Sequence, residues 1–275
     1  IVVLDNYNER IKSGEFVAVT GASGSGKTTL SKLLMGFYKP DSGMIEVCGN
    51  NLDDISLAAG RSFFALVPQD AILFNMSIMD NIRMGRLDAT EAEIIKAAKM
   101  ANAHQFIIEF TDGYDTVVGE KGMSVSGGQR QRINVARALA MNPKVIVCDE
   151  PVSALDVSIQ AQVLNLFNRL QQQYNLTYIF ISHDLGVIKH VSDRIAIMYL
   201  GRIVELCEAD AIYENPLHPY TKALLSAIPP VSPFAKKERI VLKGDIPSPI
   251  GDQIGCPLAG RCPNCMDRCR KEIPK

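Results

Sequence analysis

The segment Gly21-Ala-Ser-Gly-Ser-Gly-Lys-Thr-Thr29 follows an apolar run at 16–20 and precedes a helix-compatible stretch at 30–37. It matches G-x-x-x-x-G-K-[ST], and that setting constrains the fold strongly: a strand must deliver the loop and a helix must start directly after it. In such an arrangement the backbone N–H groups of Gly21, Ala22, Ser23, Gly24, Ser25 and Gly26, with the helix N-terminus, are expected to face a phosphate chain. Lys27 would reach the β- and γ-phosphates. Thr28, with Thr29 beside it, would offer its hydroxyl to Mg²⁺. An ordinary glycine-rich turn is the alternative reading, and the flanking strand and helix weigh against it.

Four short β-rich runs each end at a chemically loaded residue: 16–20 at the glycine loop, 64–67 at Pro68-Gln69, 145–148 at Asp149-Glu150, and 178–182 at His183. Buried parallel strands read as continuous apolar runs, and ligands bind beyond their carboxyl ends. The pattern predicts one shared site on an α/β sheet. Between Gln69 and Asp149 the chain turns helical. A stripe of Ile94, Ile95, Ala98, Ala101 and Phe106 predicts a helix within 92–110. Further helices are expected at 126–140, opened by a Ser-Gly-Gly turn, and at 157–173, with Ile159, Val163, Leu164, Phe167 and Leu170 on one face. Proline becomes frequent from Pro216, and 229–249 reads as an extended linker.

The net charge of −1 and pI near 6.5 leave no basic footprint for nucleic acid or an anionic membrane. Apolar runs such as 195–200 are too short to span a bilayer, and no signal-peptide pattern opens the chain. It starts without Met inside an apolar run at 1–4, so a preceding piece is expected to be missing. Cys48, Cys148 and Cys207 sit in strand-like contexts and are expected to be small buried apolar residues. His104, His190 and Tyr7 are read as surface or packing residues.

Val125-Ser-Gly-Gly-Gln129, followed by Arg130-Gln131-Arg132, narrows the class. Ser126 and the N–H groups of Gly127 and Gly128 open a helix, which makes a second anion site about a hundred residues after the first. With Gln69, the acidic run ending Asp149-Glu150, Ser153-Ala-Leu-Asp156 and His183, the chain resembles the nucleotide-binding domain of ATP-binding-cassette (ABC) proteins. The order and spacing fit over nearly the whole length. Val125, where the family most often has Leu, is a small departure.

The resemblance implies a P-loop NTPase fold: a RecA-like, mainly parallel sheet flanked by helices, an antiparallel β subdomain and an α-helical signature subdomain. It implies that residues 1–205 form the nucleotide-binding domain, with the helical subdomain at about 72–140, and that 206–275 form a C-terminal extension. In the family two protomers sandwich two ATP head to tail, the Ser126–Gln129 motif of one closing on the γ-phosphate held by the other. Asp149 would then hold Mg²⁺ with Thr28 and Gln69. Glu150 would be the general base for the attacking water, helped by Lys27. His183 would contact the γ-phosphate, Gln69 would sense it while touching the transport partner, and Asp156 would link the two sites.

The front half resembles exporter cassettes, through Val67-Pro-Gln-Asp70, Leu73-Phe-Asn75 and the segment 113–122. The back half resembles the ATPases of oligopeptide and dipeptide importers, through Glu150-Pro-Val-Ser-Ala-Leu-Asp-Val-Ser158, Met198-Tyr-Leu-Gly201 and Asn215-Pro-Leu-His-Pro-Tyr-Thr221, with the change near 139–144. The tail favours peptide import; export, or a non-transport ATPase of the same fold, are the alternatives. The implied partners are a second ABC ATPase subunit, transmembrane permease subunits and a peptide-binding protein, with no nucleic acid, at the cytoplasmic face of the membrane.

Cys256, Cys262, Cys265 and Cys269 are spaced C-x₅-C-x₂-C-x₃-C, with Arg261, Arg268, Arg270 and Lys271 nearby. Four thiolates so close fit a [4Fe–4S] cluster, which the resemblance also suggests, or structural Zn²⁺; free thiols are the third option.

Overall fold

Strand β1 (Phe16–Gly21) is buried along its whole length, as its unbroken apolar sequence requires. A computed structural model of the chain describes residues 3–119, 122, 124–229, 238–245, 247 and 254–273. Ile1 and Val2, Glu120 and Lys121 of the segment before the signature, and most of the expected linker, including Pro230 and Pro249, lie outside the described residues.

The chain folds as two compact units, Ile1–Ile11 with Val17–Leu30 and Ile181–Lys275, and Lys12–Phe16 with Ser31–Phe180. In the first unit β1 leads through the glycine loop into α1 (Lys27–Leu34).

The second unit holds the short antiparallel pair β2 (Glu46–Val47) and β3 (Asn50–Asn51), then α2 (Leu57–Ser62) and β4 (Phe64–Val67). The helices α3 (Ile78–Arg83), α4 (Glu91–Met100), α5 (His104–Ile108) and α6 (Gly127–Ala140) follow, then β5 (Val145–Asp149), α7 (Val157–Tyr174) and β6 (Thr177–Ile181). β4 runs parallel to β5, Val67 opposite Cys148. Its aromatic core joins Phe16 to Tyr178 at 4.8 Å between centroids and to Phe180 at 5.6 Å, with Phe167 edge-on to both.

The first unit resumes with α8 (Leu185–Ile188), β7 (Arg194–Tyr199), β8 (Arg202–Glu208), α9 (Ala209–Glu214) and α10 (Pro219–Ser226). β7 pairs in parallel with β1, Val17 opposite Arg194, and antiparallel with β8. Among the described residues no helix is long and apolar enough to cross a membrane.

The four expected strands are observed within one residue of their bounds. The stripe at 92–110 is broken into α4 and α5: Asn102 takes φ 54°, a left-handed geometry that ends a helix. The break rotates the face, so Ile107 is buried while Phe106 is only half-buried. Cys48 also departs from expectation. It is exposed at the tip of the β2–β3 hairpin, where Cys48 and Gly49 have φ 51° and 77°, a tight two-residue turn that points its side chains at solvent. Cys148 is buried as expected, and Cys207 is half-buried.

Candidate functional site

The glycine loop is shaped by its own backbone. Gly21 closes β1 at φ 153°, and a Cβ there would collide with the carbonyl of Met198. Gly26 takes φ 102°, and a Cβ there would lie 2.7 Å from Leu4 Cδ2. Both positions therefore need glycine. Ser25 N–H donates to Ala22 O at 3.2 Å, and Ser25 is buried. Lys27 is buried and folds back across the loop, its ammonium donating to Gly21 O at 2.8 Å and Ala22 O at 2.9 Å. Thr28 is exposed in the first turn of α1 and Thr29 half-buried beside it; Ser23 and Gly24 are exposed at the tip. A loop with no room for a Cβ at Gly21 or Gly26, one ammonium and one exposed hydroxyl at a helix start fits a Mg²⁺–triphosphate.

His183 belongs to the same unit and is exposed between two anchored neighbours. Ser182 N–H donates to Val19 O in β1 at 3.2 Å, and Asp184 N–H donates to Ser182 Oγ at 3.1 Å. Asp184 in turn caps α8, accepting the N–H groups of Gly186 and Val187. His183 is thus fixed by the bond of its neighbour Ser182 to β1.

Sequence reasoning missed a further contact of the loop. The hydroxyl of Tyr220 accepts the backbone N–H of Ala22 at 2.9 Å, from the first turn of α10. Gly201 N–H donates to Ser25 O at 2.9 Å. Both residues lie in motifs that set the importer-like half apart, which was the available signal. Burial pushes the Tyr220 phenol up in pKa, although its bond to Ala22 pulls it down, so the hydroxyl stays neutral.

The remaining site residues lie in the second unit. Ser126 caps α6: its hydroxyl accepts Gln129 N–H at 3.3 Å while Gln129 Oε1 accepts Ser126 N–H at 2.9 Å. Gly127 and Gly128 form the first turn. A Cβ on Gly128 would sit 2.8 Å from Ile159 Cγ2, so this glycine lets α7 pack on the start of α6. Asp149 is the last residue of β5, and Glu150 follows it at φ 49°. Ser153 braces the turn through Oγ to Glu150 O at 3.0 Å, and Gln131 does so through Nε2 to Pro151 O at 2.7 Å. Gln69 is exposed two residues past β4, as Glu150 is two past the paired Cys148 of β5, so parallel register brings these two strand ends side by side. Asp156 is the N-cap of α7, its carboxylate accepting Ile159 N–H at 3.0 Å.

The four tail cysteines are free thiols, all half-buried. Cys256 N–H donates to Cys269 O at 2.7 Å, which joins the ends of the series, and burial raises the Cys256 thiol pKa. Among the described residues, however, no group of three or more His, Cys, Asp or Glu side chains is placed to hold a metal ion. The metal reading of these four residues therefore rests on their spacing.

Residues 4–153 match the family model described as ABC transporter, and 204–269 match that described as oligopeptide/dipeptide transporter, C-terminal region. The chain is 42% identical over 289 residues to the putative oligopeptide transport ATP-binding protein YkfD of Bacillus subtilis, a match covering 100% of this chain and 85% of that one. It is 40% identical over 286 residues to the di/tripeptide transport ATP-binding protein DppF of Pseudomonas aeruginosa, covering 99% and 85%. Among solved structures it resembles a bacterial Atm1-family ABC exporter with ATP bound, with TM-score 0.71 and 35% identity over 80% of this chain. The chain spans only 38% of that exporter's length. The mixed sheet, antiparallel hairpin and helical region are those of a RecA-like P-loop NTPase, and the chain belongs to the ABC transporter family as an ATP-binding and ATP-hydrolysing subunit.

Proposed function

We propose that the chain powers peptide import. One chain carries both a glycine loop ending in Lys27-Thr28 and a Ser126-capped helix with glycines in its first turn, and this pairing supports a two-protomer ATP clamp. Residues 1–205 would form the nucleotide-binding domain, with the helical part at about 72–140, and 206–275 the extension.

In this reading the loop residues 21–29 bind the phosphates, and Lys27 swings from its own loop carbonyls to the β- and γ-oxygens. Thr28, Gln69 and Asp149 would hold Mg²⁺, which when bound would offset charge on the phosphate oxygens. Glu150 takes the proton of the attacking water as that water's oxygen bonds the γ-phosphorus and the bond to the departing ADP oxygen breaks, and His183 contacts the γ-phosphate. Ser126, Gly127, Gly128 and Gln129 close the site of the partner protomer, and Asp156 steadies the junction. Partners would be a second ABC ATPase subunit, permease subunits and a peptide-binding protein, with the chain at the cytoplasmic face of the membrane. The names of the curated relatives and the matched C-terminal region support import. The likeness to an exporter favours export as the second reading. Cys256, Cys262, Cys265 and Cys269 stay candidate ligands of an iron–sulfur or zinc centre on spacing alone; metal analysis and visible absorbance of anaerobically purified protein test that.

The deciding experiment reconstitutes the chain with its membrane subunits and follows ATP hydrolysis and peptide uptake. Glu150→Gln should keep ATP, trap a dimer and lose roughly 10²–10⁴ in turnover. Normal turnover in that variant would overturn the assignment of the base. Hydrolysis stimulated by outward rather than inward peptide movement would overturn import.

A further inference from the structure

We propose that Tyr220 is a positioning residue of the phosphate loop, its hydroxyl holding the Gly21–Ala22 peptide so that the C-terminal extension sets the cassette's grip on ATP. The inference rests on the reading of 21–29 as the ATP site.

One peptide unit is held from two sides. Its carbonyl, that of Gly21, accepts the Lys27 ammonium at 2.8 Å, and its N–H, that of Ala22, donates to Tyr220 Oη at 2.9 Å. In a trans peptide these two groups point in opposite directions, so Tyr220 anchors the plane against the lysine that must later release it. The N–H of Ala22 is thereby taken up by the protein, and the phosphates are left to the N–H groups nearer the tip.

Tyr220 is itself held rigidly. It is 4% exposed, and its ring centroid lies 4.7 Å from that of Tyr199. Its own N–H donates to His218 Nδ1 at 3.2 Å. The Glu205 carboxylate accepts the N–H groups of Leu217 and His218 at 2.8 and 2.9 Å, which fixes the Leu217-His-Pro-Tyr220 corner to β8. Beyond it, Arg261 of the cysteine tail reaches Tyr199 Oη at 3.4 Å and Gly244 O at 3.1 Å. The extension thus touches the loop through an ordered series of side chains. The bond is only partly buried, so its loss should show in how the loop is held more than in overall stability.

Tyr220→Phe separates this role from packing, because the ring is retained. Nucleotide-free Y220F should unfold close to the unaltered chain, bind Mg–ATP roughly three- to tenfold more weakly, and show that change in KM with kcat held. Equal affinity in Y220F and the unaltered chain would overturn the proposal. Should Y220F fail to fold, amide hydrogen exchange in the unaltered chain decides: Ala22 protected well above Ser23 supports the tie, and equally fast exchange overturns it. No Mg–ATP binding by the unaltered chain would overturn the ATP-site reading and this inference with it.

Discussion

Gln131 donates its side-chain amide to the carbonyl of Pro151 at 2.7 Å, so the fifth residue of α6 braces the turn that presents Glu150. Gln131 is buried, and the Pro151 carbonyl has no water to turn to if the amide is removed. Gln131→Ala should cost about 1–3 kcal/mol in urea unfolding. ATP hydrolysis should fall through kcat more than KM, since the turn that loosens holds Glu150, the proposed base, and leaves the phosphate loop alone. Equal stability of variant and parent would show that the bond contributes nothing.

The first turn of α6 has no room for a methyl group. Gly128→Ala would place a Cβ 2.8 Å from Ile159 Cγ2, between α6 and α7. Overpacking of this kind costs about 1–3 kcal/mol. The double variant Gly128→Ala, Ile159→Ala should recover part of that loss in thermal unfolding, because it removes the Cγ2 methyl from the clash. Failure of the second change to help would place the strain elsewhere.

Glu150 sits at φ 49°, where a side chain is strained by about 1 kcal/mol relative to glycine. Glu150→Gly should therefore be at least as stable as the parent in a melting experiment while losing ATP turnover. That combination marks strain kept for chemistry. A clear loss of stability would instead mean that the carboxylate carries structure.

Stability should also fall in mild acid through His218. Burial holds its imidazole below the ordinary value of 6.5, with the Glu205 carboxylate pulling the other way, and its Nδ1 must be unprotonated to accept Tyr220 N–H. The folded state thus binds fewer protons than the unfolded one. The contribution is complete above 6.5 and is lost as pH falls through the lower folded value. His218→Asn keeps an acceptor for the helix cap but does not titrate, so the slope of urea stability between about pH 7.5 and about pH 5.5 should flatten. An unchanged slope would assign the acid sensitivity to other groups.

Much of this architecture is legible in the linear chain, for physical reasons. Strands buried on both faces, such as Phe16–Gly21 and Thr177–Ile181, carry no charged residue to blur their outline, and the motif residues follow at their carboxyl ends. The break at Asn102 was hidden because apolar residues continue at helical spacing across it, while the left-handed φ of a single Asn leaves no mark on periodicity. Cys48 misled because its neighbours alternate like a strand, and only the φ values reveal a two-residue turn. Tyr220 and Ala22 stand 198 positions apart, and no local pattern can report a bond over that distance. The cysteine spacing was plain, yet spacing does not fix where thiols point, and among the described residues no group of three such side chains is placed to hold a metal ion.

The parallel pairing of Val17 with Arg194 has a bearing on biosynthesis. A ribosome adding about 5–20 residues each second exposes the glycine motif many seconds before β7, Gly201 or Tyr220 exist to brace it. Ser31–Phe180, a continuous stretch, emerges whole in the meantime. A prematurely terminated polypeptide would carry every recognisable nucleotide motif except His183 and still lack the scaffold that stiffens the first of them. Competence to hold fuel is thereby reserved for products translated past Tyr220.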